Sequence, residues 1–255
     1  MIDAPAPAGV VDIGGSGGAV WHLTETGPVS VHAVEGRIDA SLLRSLAGEA
    51  ARNGRGVLLA TPGQLVAPGR VTASNLGWQD LDLSAAAGAG DRDVRWVNDA
   101  AAIAAGERAL HGLEGRVLVL VFGTGLGVAL ATEEGAGTLM WSAEVECAHM
   151  PTGGTEPCAC GRVGCLEVVV RRWLATGDGA DVARAGFDSL VAHARPDAIV
   201  LCGGVMRDGA AAAAVTGMLD HRAGVPVLGS AAAPGHKSAA PHGAELLWPT
   251  AARVR

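Results

Sequence analysis

Residues 148–167 read AHMPTGGTEPCACGRVGCLE, and the rest of the chain is interpreted outward from this stretch. It contains one imidazole, His149, and three thiols, Cys158, Cys160 and Cys165. Three thiolates and one imidazole are the number and type of ligands found in a closed, tetrahedral structural zinc site. Glycines between the thiols allow the tight turns that bring the sulfur atoms together. The stretch therefore predicts a zinc-bound loop.

Buried unpaired thiols or a redox pair would also explain three close cysteines. The Cys-x-Cys spacing suits a disulfide poorly, and the first nine residues lack the basic and apolar parts of a secretory signal. A reducing compartment and a metal are therefore favoured. Four protein ligands leave no position for water, which argues against a catalytic zinc. Cys147 and Cys202 fall outside the spacing, and the apolar run around Cys202 is typical of a core.

The composition predicts a folded protein, and without a recognisable signal or membrane span the chain is expected in the cytoplasm. Of 255 residues, 49% are hydrophobic and 18% are charged, which supplies a buried core and argues against disorder. A net charge of -7 gives no reason to expect nucleic-acid binding. Glycine or charge interrupts every apolar stretch of membrane-spanning length, so no association with a membrane is expected.

Two glycine-rich turns, residues 14–18 and 123–127, occupy matching places in the two halves of the chain. Each lies between short apolar strands and is followed by a returning strand, which predicts a β-meander in each half. The six strands are expected at 9–13, 19–23, 28–34, 117–122, 128–132 and 138–141. Alternating helices and strands follow each meander, which predicts two α/β domains with a cleft between them.

The expected helices follow from apolar periodicity and from capping residues. Asp39 is predicted to cap a helix that runs to Arg52 and stops at Gly54. Further helices are expected at 99–111, 166–175, 182–194 and 210–219, and buried strands at 57–60, 198–202 and 225–228.

The glycine turns can present backbone amides to a phosphate at close approach. Asp12, just before the first turn, can hold Mg²⁺ through water, and Thr124 offers a hydroxyl in the second. Neither turn matches a Gly-Lys-Ser/Thr phosphate loop or a dinucleotide fingerprint. A third glycine pair, Gly203-Gly204, could approach a nucleoside or simply start a helix. Glycine hairpins are also common without any ligand.

Asp99 stands between a strand and a helix, in the run Val97-Asn98-Asp99-Ala100. An aspartate at this place is either an N-cap or a general base for a hydroxyl that attacks a phosphate. The local sequence leaves both interpretations open.

Together these residues resemble the ROK family (repressors, open reading frames and kinases) of sugar kinases, in the actin-like ATPase-domain superfamily. Residues 158–167, with His149 upstream, look like the zinc signature of that family. Four other segments occur in the family's order: 12–16 and 123–127 resemble its phosphate loops, 61–63 with 75–78 its sugar-cleft segment, and 98–100 the segment of its catalytic aspartate. The resemblance covers residues 10–167 and 199–205.

The resemblance implies two actin-like (RNase H-like) α/β domains flanking a cleft. The N-terminal domain would comprise residues 1–114 plus 238–255, and the C-terminal domain residues 115–237 with the zinc loop 146–167. It also implies an ATP-dependent kinase of the hexokinase or glucokinase type, acting on the primary (6-position) hydroxyl of a hexose or hexose analogue. ATP, Mg²⁺ and structural Zn²⁺ would be its cofactors, and a homodimer its assembly.

The resemblance also implies residue roles, with Asp99 as the general base and His149, Cys158, Cys160 and Cys165 as zinc ligands. The implied sugar-binding residues are Gly63, Asn75, Asn98, Glu146, His149 and Glu167. The implied ATP-binding residues are Asp12, Gly14, Gly15, Ser16, Gly123, Thr124, Gly125, Gly203 and Gly204.

The chain departs from the family pattern at several positions. Ser16 and Gly17 replace the usual Thr-Lys of the first phosphate loop, so the hydroxyl is kept and the basic residue is lost. Val145 and Ala148 stand where glycines are usual, and Ala101 replaces an asparagine. The segment 167–199 lacks most of the helical region that, in the family, packs around the nucleotide side and often serves the dimer, and the segment 18–56 is also trimmed.

The leading hypothesis is a sugar kinase whose substrate is glucose, an aminohexose or a cyclitol. A catalytically silent sugar-binding protein is the first alternative, because of Gly17 and the short nucleotide side. A non-sugar phosphotransferase or phosphohydrolase is the second, and the zinc loop argues against it. A repressor is not expected, because no winged-helix segment precedes Val10.

Overall fold

The structure is a computed structural model that describes residues 7–51, 56–90, 92–220, 224–232 and 238–254. Packing divides the chain into two compact units: the first is Met1–His111 with Ala232–Arg255, and the second is Gly112–Ala231. Both are mixed α/β structures. Their assignment as actin-like domains with the boundaries given above stays a prediction.

Strands and helices alternate after an initial meander in each unit. The strands are β1 Gly9–Gly14, β2 Gly17–Thr24, β3 Gly27–Glu35, β4 Val57–Thr61, β5 Gln64–Ala67, β6 Arg70–Ala73, β7 Trp78–Asp82, β8 Val94–Asn98, β9 Val117–Phe122, β10 Leu126–Thr132, β11 Gly135–Thr138, β12 Met140–Ser142, β13 Val145–Glu146, β14 Ala198–Cys202, β15 Val227–Gly229 and β16 Ala252–Arg253. The helices are α1 Ala40–Ala50, α2 Leu83–Ala87, α3 Asp99–His111, α4 Leu166–Thr176, α5 Ala180–Ala194, α6 Gly209–Leu219 and α7 Ala240–Leu247, with 3-10 helices at Cys147–His149 and Gly204–Arg207.

The first unit is built on a six-stranded sheet in the order β16-β8-β4-β1-β2-β3. Strands β1, β4 and β8 are parallel, whereas β2, β3 and β16 pair antiparallel at its two sides. The parallel strands are almost continuously apolar and buried, as strands covered on both faces must be. Their carboxyl ends bring Asp12, Thr61 and Asn98 to one edge, because Asp12 neighbours Ala60 and Thr61 neighbours Asn98.

A second, smaller sheet in the first unit joins β5, β6 and β7 as an antiparallel meander. It follows directly on β4, and the two segments that resemble the family's sugar-cleft segment, 61–63 and 75–78, lie just before β5 and at the turn from β6 into β7. Val71, Ala73 and Trp78 are buried and pack with the main core, so the small sheet is fixed to the unit. The sequence analysis assigned no strands to this region.

The second unit is built on a five-stranded sheet in the order β11-β10-β9-β14-β15. The meander β9-β10-β11 is antiparallel, and β14 and β15 continue from β9 in parallel. Helices α4 and α5 bury their apolar faces in the same core as the sheet, with Phe187 and Leu190 fully buried. The two meanders predicted from the glycine turns are therefore confirmed.

One predicted strand, 138–141, differs in the structure. The third strand of the second meander is Gly135–Thr138, and the chain then turns at Leu139 into β12, which pairs with β13. Leu139 donates its amide to Val128 O in β10 at 3.0 Å and accepts from the amide of Cys147 at 2.9 Å, so it connects the main sheet to the start of the 3-10 helix that follows β13. The partly buried Leu139 side chain packs against the core and fixes this switch.

The predicted helix starts agree closely with the structure. Asp39 caps α1, because its carboxylate accepts hydrogen bonds from the amides of Ser41 and Leu42, each at 2.9 Å. The predicted ends of this helix, Arg52 and Gly54, lie outside the described residues. Among the described residues, no helix has the length and apolar character that crossing a membrane requires.

Candidate active site

Asp99 is the first residue of α3 and follows directly on β8. The cap of this helix comes from Asn98, whose Oδ1 accepts from the amides of Ala100 at 2.9 Å and Ala101 at 3.4 Å. Asp99 Oδ1 also accepts from Ala100, at 2.9 Å. The capping role that the sequence left open for Asp99 thus belongs to its neighbour. The half-buried Asp99 carboxylate lies in the first helical turn, where the helix dipole favours negative charge.

Asn98 also connects to the sugar-cleft segment, because its Nδ2 donates to Gly63 O at 3.1 Å. Gly63 has a φ of +106°, and a Cβ there would lie 2.4 Å from Thr72 O in β6, so only glycine fits. The structure therefore brings Asn98 and Gly63 together. Asn75 lies exposed in the turn between β6 and β7, two residues after the strand that packs on Gly63.

The first glycine turn is a two-residue hairpin. Gly14 pairs with Gly17, which leaves Gly15 and Ser16 at the tip, with Ser16 exposed. Such a hairpin can bring its backbone close to an anion, because its glycines carry no side chains.

Asp12 lies on β1 behind this turn and is half-buried. Burial raises its pKa from 3.8 to about 6, and a hydrogen bond from the Ser238 hydroxyl opposes that shift. Ser238 also accepts from Ala240 N at 3.0 Å and so ties the start of α7 to Asp12. Partial burial destabilises the ionised form of this carboxyl, and a nearby cation would stabilise that form and offset the desolvation penalty.

Gly17 cannot be replaced by the lysine of the related motif without moving the sheet. Its φ is +153°, and a Cβ would lie 2.3 Å from Val34 O in the paired strand β3. The absence of a basic side chain at this position is therefore enforced by the pairing of β2 with β3.

The predicted zinc ligands converge in the second unit. The ligand atoms of His149, Cys158, Cys160 and Cys165 all lie within 4.8 Å of one another. Cys158 Sγ is 3.6 Å from His149 Nδ1, and Cys160 Sγ is 3.6 Å from Cys165 Sγ. Tetrahedral zinc with its usual bond lengths requires about 3.5 Å between sulfur and nitrogen and about 3.8 Å between two sulfurs. The residues therefore fit a zinc ion, whose chemistry here would be structural.

Backbone hydrogen bonds already fold the loop around these ligands. Cys158 N donates to Arg162 O at 2.8 Å, and Gly164 N donates to Glu156 O at 2.8 Å. Gly164 has a φ of +66°, and a Cβ there would lie 2.2 Å from Gly154 O. The predicted need for glycine between the thiols is confirmed at this position.

Burial raises the pKa of two thiols in this region, but only one of them, Cys165, belongs to the metal cluster. Burial, followed by the neighbouring Cys160 thiol, raises the pKa of Cys165 to about 12, so Cys165 ionises only with a cation beside it. Burial, with the charge of Glu146, also raises the pKa of Cys147 to about 12. Cys147 is fully buried in the hydrophobic core, in agreement with its exclusion from the ligand set.

The predicted sugar-binding residues of the second unit belong to this loop, with Glu146 and Glu167 at its two ends and His149 among the metal ligands. Glu146 ends β13, and His149 ends the 3-10 helix that follows it, so both are held by short regular elements and both are half-buried. His149 Nδ1 faces the thiols, which directs its Nε2 away from the cluster. Ala148 is 2% exposed and packs in the core, so its methyl group lies within the protein interior.

Glu167 is the second residue of α4, and it contacts the second glycine turn. Its Oε2 accepts a hydrogen bond from Leu126 N at 3.1 Å. In that turn Gly123 and Thr124 are exposed, and Gly123 N donates to Gly125 O at 3.0 Å. The sequence analysis did not connect Glu167 with the turn.

The third glycine pair lies against the residue that precedes the second turn. Gly203 has a φ of +100°, and a Cβ there would lie 2.4 Å from Phe122 O. Gly204 begins a 3-10 helix and has open space where a side chain would lie. Backbone of both segments can therefore approach one ligand, while the helix-start interpretation is also satisfied.

A model of the ROK family matches residues 34–171, just over half of the chain. The chain belongs to the ROK family. The match includes the Asn98-Asp99 segment, the second glycine turn and the whole metal loop. A search of curated protein sequences finds no significant match.

Solved ROK structures share the fold across nearly the whole chain. A glucokinase from Streptomyces griseus, in complex with glucose and AMPPNP, is 20% identical with a TM-score of 0.72 and covers 93% of this chain and 97% of its own. A ROK hexokinase from Thermus thermophilus is 25% identical with a TM-score of 0.65 and covers 92% and 95%. A ROK family transcriptional regulator, a homologue of the Escherichia coli MLC protein, is 14% identical with a TM-score of 0.65 and covers 93% and 76%.

Two contacts within this ROK chain escaped the sequence analysis. Glu167 and Leu126 are 41 residues apart, and neither local pattern contains a signal for their hydrogen bond. Ser238 and Asp12 are even further apart in sequence, although Ser238 just before Pro241 is a usable helix-start signal.

Proposed function

We propose that this chain is a kinase that transfers the γ-phosphoryl group of ATP to the primary (6-position) hydroxyl of a hexose or a hexose analogue. The observation that carries the proposal is the place of Asp99 in the ROK match: it begins a helix whose cap Asn98 already provides. A carboxylate held in the first helical turn, and not required for the cap, is suited to take a proton from an attacking hydroxyl.

In the proposed reaction, the sugar oxygen forms a bond to the γ-phosphorus while the bond from that phosphorus to ADP breaks. Asp99 accepts the hydroxyl proton. Phosphoryl transfer depends mainly on position and charge neutralisation, so one carboxylate base is sufficient. Asp12 would hold Mg²⁺ through water, and a cation there is consistent with the raised pKa of its half-buried carboxyl.

The remaining roles follow the ROK motifs. The sugar hydroxyls would be bound by Asn98 and Gly63, which the structure links, and by Asn75, Glu146, His149 and Glu167. The phosphates would lie on the backbone of the two glycine turns, with Gly203 and Gly204 toward the nucleoside. Zinc would keep the loop that carries the carboxylates rigid. A homodimer and a cytoplasmic location remain part of this proposal.

The experiment is a coupled assay of ADP release with ATP, Mg²⁺ and a panel of hexoses, aminohexoses and cyclitols. Turnover with one member would establish the kinase and name its substrate. Asp99→Asn should then lower kcat by about 10²–10⁴-fold, the usual cost of removing a general base. Asp181→Asn, which changes an exposed aspartate in the first turn of α5, is the matched control and should retain full activity. An Asp99→Asn enzyme with most of its activity would refute the assigned base.

A sugar-binding protein without catalysis is the second candidate. It is favoured by the geometry of Gly17, which excludes the basic residue of the related phosphate loop. The same fold also occurs in a transcriptional regulator, so turnover decides between the candidates where the fold does not. Calorimetry that detects sugar binding, together with no nucleotide binding and no turnover across the panel, would select this candidate.

A further inference from the structure

The carboxylate of Glu167 occupies the space above Gly125 in the second glycine turn. A Cβ on Gly125 would lie 2.4 Å from Glu167 Oε2 and 3.1 Å from its Cδ. The same Oε2 accepts from Leu126 N at 3.1 Å, at the point where the turn enters β10. Glycine at 125 is thus required by the carboxylate rather than by an unusual backbone angle, because this residue needs no positive φ.

Glu167 is itself fixed by the metal loop. Cys165, a member of the metal cluster, is the residue that precedes α4, and its carbonyl accepts from Val169 N at 3.2 Å. Leu166 N donates to Met150 O at 3.1 Å, one residue after His149. The start of α4 is therefore held between two parts of the loop that carry metal ligands. Glu167 extends from that start to the turn.

A carboxylate beside an anion-binding turn repels phosphate, so its location needs another explanation. A hydrogen bond to a charged acceptor is strong enough to hold a backbone segment in one conformation. Only Oε2 makes this bond, and Oε1 lies farther from the turn, at 3.7 Å from the Cβ position of Gly125. The two oxygens can thus serve different partners.

We propose that Glu167 is a positioning residue that holds the second glycine turn in its phosphate-binding conformation. The metal loop thereby controls the phosphate-donor side of the reaction as well as the sugar side. This inference rests on the proposed function for the identity of the ligands, whereas the contact itself can be tested without any substrate.

The first test measures amide hydrogen exchange of residues 123–128 in the full-length, zinc-loaded protein. Glu167→Ala should accelerate this exchange by about 10- to 100-fold, the opening expected when a hydrogen bond to a charged group is lost. Glu167→Gln keeps an oxygen acceptor and should accelerate it less. Glu133→Ala, which changes an exposed glutamate between β10 and β11, is the control and should leave the exchange unchanged.

Gly125→Ala perturbs the same contact from the other side, because its methyl group would displace the carboxylate. It should also accelerate exchange at Leu126, and the double variant with Glu167→Ala should add little, as expected for two changes that break one contact. Removing zinc by chelation should accelerate exchange of residues 123–128 in the unaltered chain and have no further effect on them in Glu167→Ala.

Kinetics of Glu167→Ala and Glu167→Gln separate the positioning role from sugar binding. The KM for ATP should rise in Glu167→Ala and recover substantially in Glu167→Gln, in addition to any change in the KM for sugar. Unchanged exchange in both Glu167→Ala and Gly125→Ala would overturn the inference, even if sugar affinity falls. Accelerated exchange without turnover on any sugar would uphold the coupling and refute the proposed kinase, so the two failures are distinguishable.

Discussion

Replacing Asp12 by asparagine should make the protein more stable and, at the same time, less active. Burial raises the pKa of the Asp12 carboxyl from 3.8 to about 6, so at neutral pH the ionised carboxylate lowers the free energy of unfolding. A shift of about two pKa units corresponds to about 3 kcal/mol. Because Asp12 is only half-buried, solvent screens part of this, and we expect a gain of roughly 1–3 kcal/mol for Asp12→Asn.

The pH dependence follows from the direction of the shift. Below about pH 4 the carboxyl is protonated in both the folded and the unfolded chain, so Asp12→Asn should have almost no effect there. Between about pH 4 and pH 6 the unfolded chain ionises first, so the unaltered protein loses stability relative to the variant. Above about pH 6 the difference should be constant.

The assay is thermal unfolding of both proteins from pH 4 to pH 8, without nucleotide. At 2–4 °C per kcal/mol, the melting temperature of Asp12→Asn should exceed that of the unaltered chain by about 2–12 °C at pH 8 and should nearly match it at pH 4. Asp39→Ala is the control of opposite sign, since hydrogen bonds from Leu42 N and the Ser41 hydroxyl lower the pKa of Asp39. Its loss of stability should shrink as the pH falls. A pH-independent loss of stability in Asp12→Asn would refute this reasoning.

Two other perturbations follow from the same structure. Metal analysis of protein purified without chelator should find about one zinc per chain. Cys160→Ala should lose this zinc and become sensitive to proteases within the loop, because metal-binding energy is local folding energy. Protein that is free of zinc when purified would contradict the site. Gly17→Lys should cost roughly 1–3 kcal/mol of stability and should not raise kcat, because its Cβ would meet Val34 O at 2.3 Å. Ser16→Lys, at the exposed neighbouring position, is its control in thermal unfolding and should change the melting temperature little.

Local patterns predicted the parts of the fold that depend on neighbours in sequence. Asp39 caps α1, and α3 runs over the predicted residues 99–111, since capping and apolar periodicity act within one or two turns. The cysteine spacing predicted the metal cluster for the same reason: all four ligands lie within 17 residues of chain. The small sheet β5-β6-β7 was missed because its strands are only four or five residues long, and β5 and β7 are largely exposed and show no regular alternation.

The candidate site was harder to predict, because its residues take their roles from distant partners. Asn98 illustrates this: the sequence placed it beside Asp99, but only the structure shows that it caps α3 and also donates to Gly63, 35 residues away. Asn98 thereby provides the cap of the helix that Asp99, the base of the proposed kinase, begins. Local capping preferences do not decide between the two residues, since aspartate and asparagine are equally good caps.

Gly17 and Gly125 show how far a glycine-rich pattern can be interpreted without a structure. Gly17 pairs with Glu35 across the predicted meander, and its φ of +153° would place a Cβ 2.3 Å from the carbonyl oxygen of Val34 in the neighbouring strand. The register alone does not reveal this clash, because paired strands ordinarily carry side chains, so the loss of the motif's lysine is explained only by the backbone angle in the structure. Gly125 instead faces Glu167, 42 residues later, on a helix whose start is fixed by metal ligands. Only a folded chain reveals that the carboxylate and the glycine fill one space, and this shared space brings the start of α4, beside the Cys/His cluster, into contact with the second glycine turn.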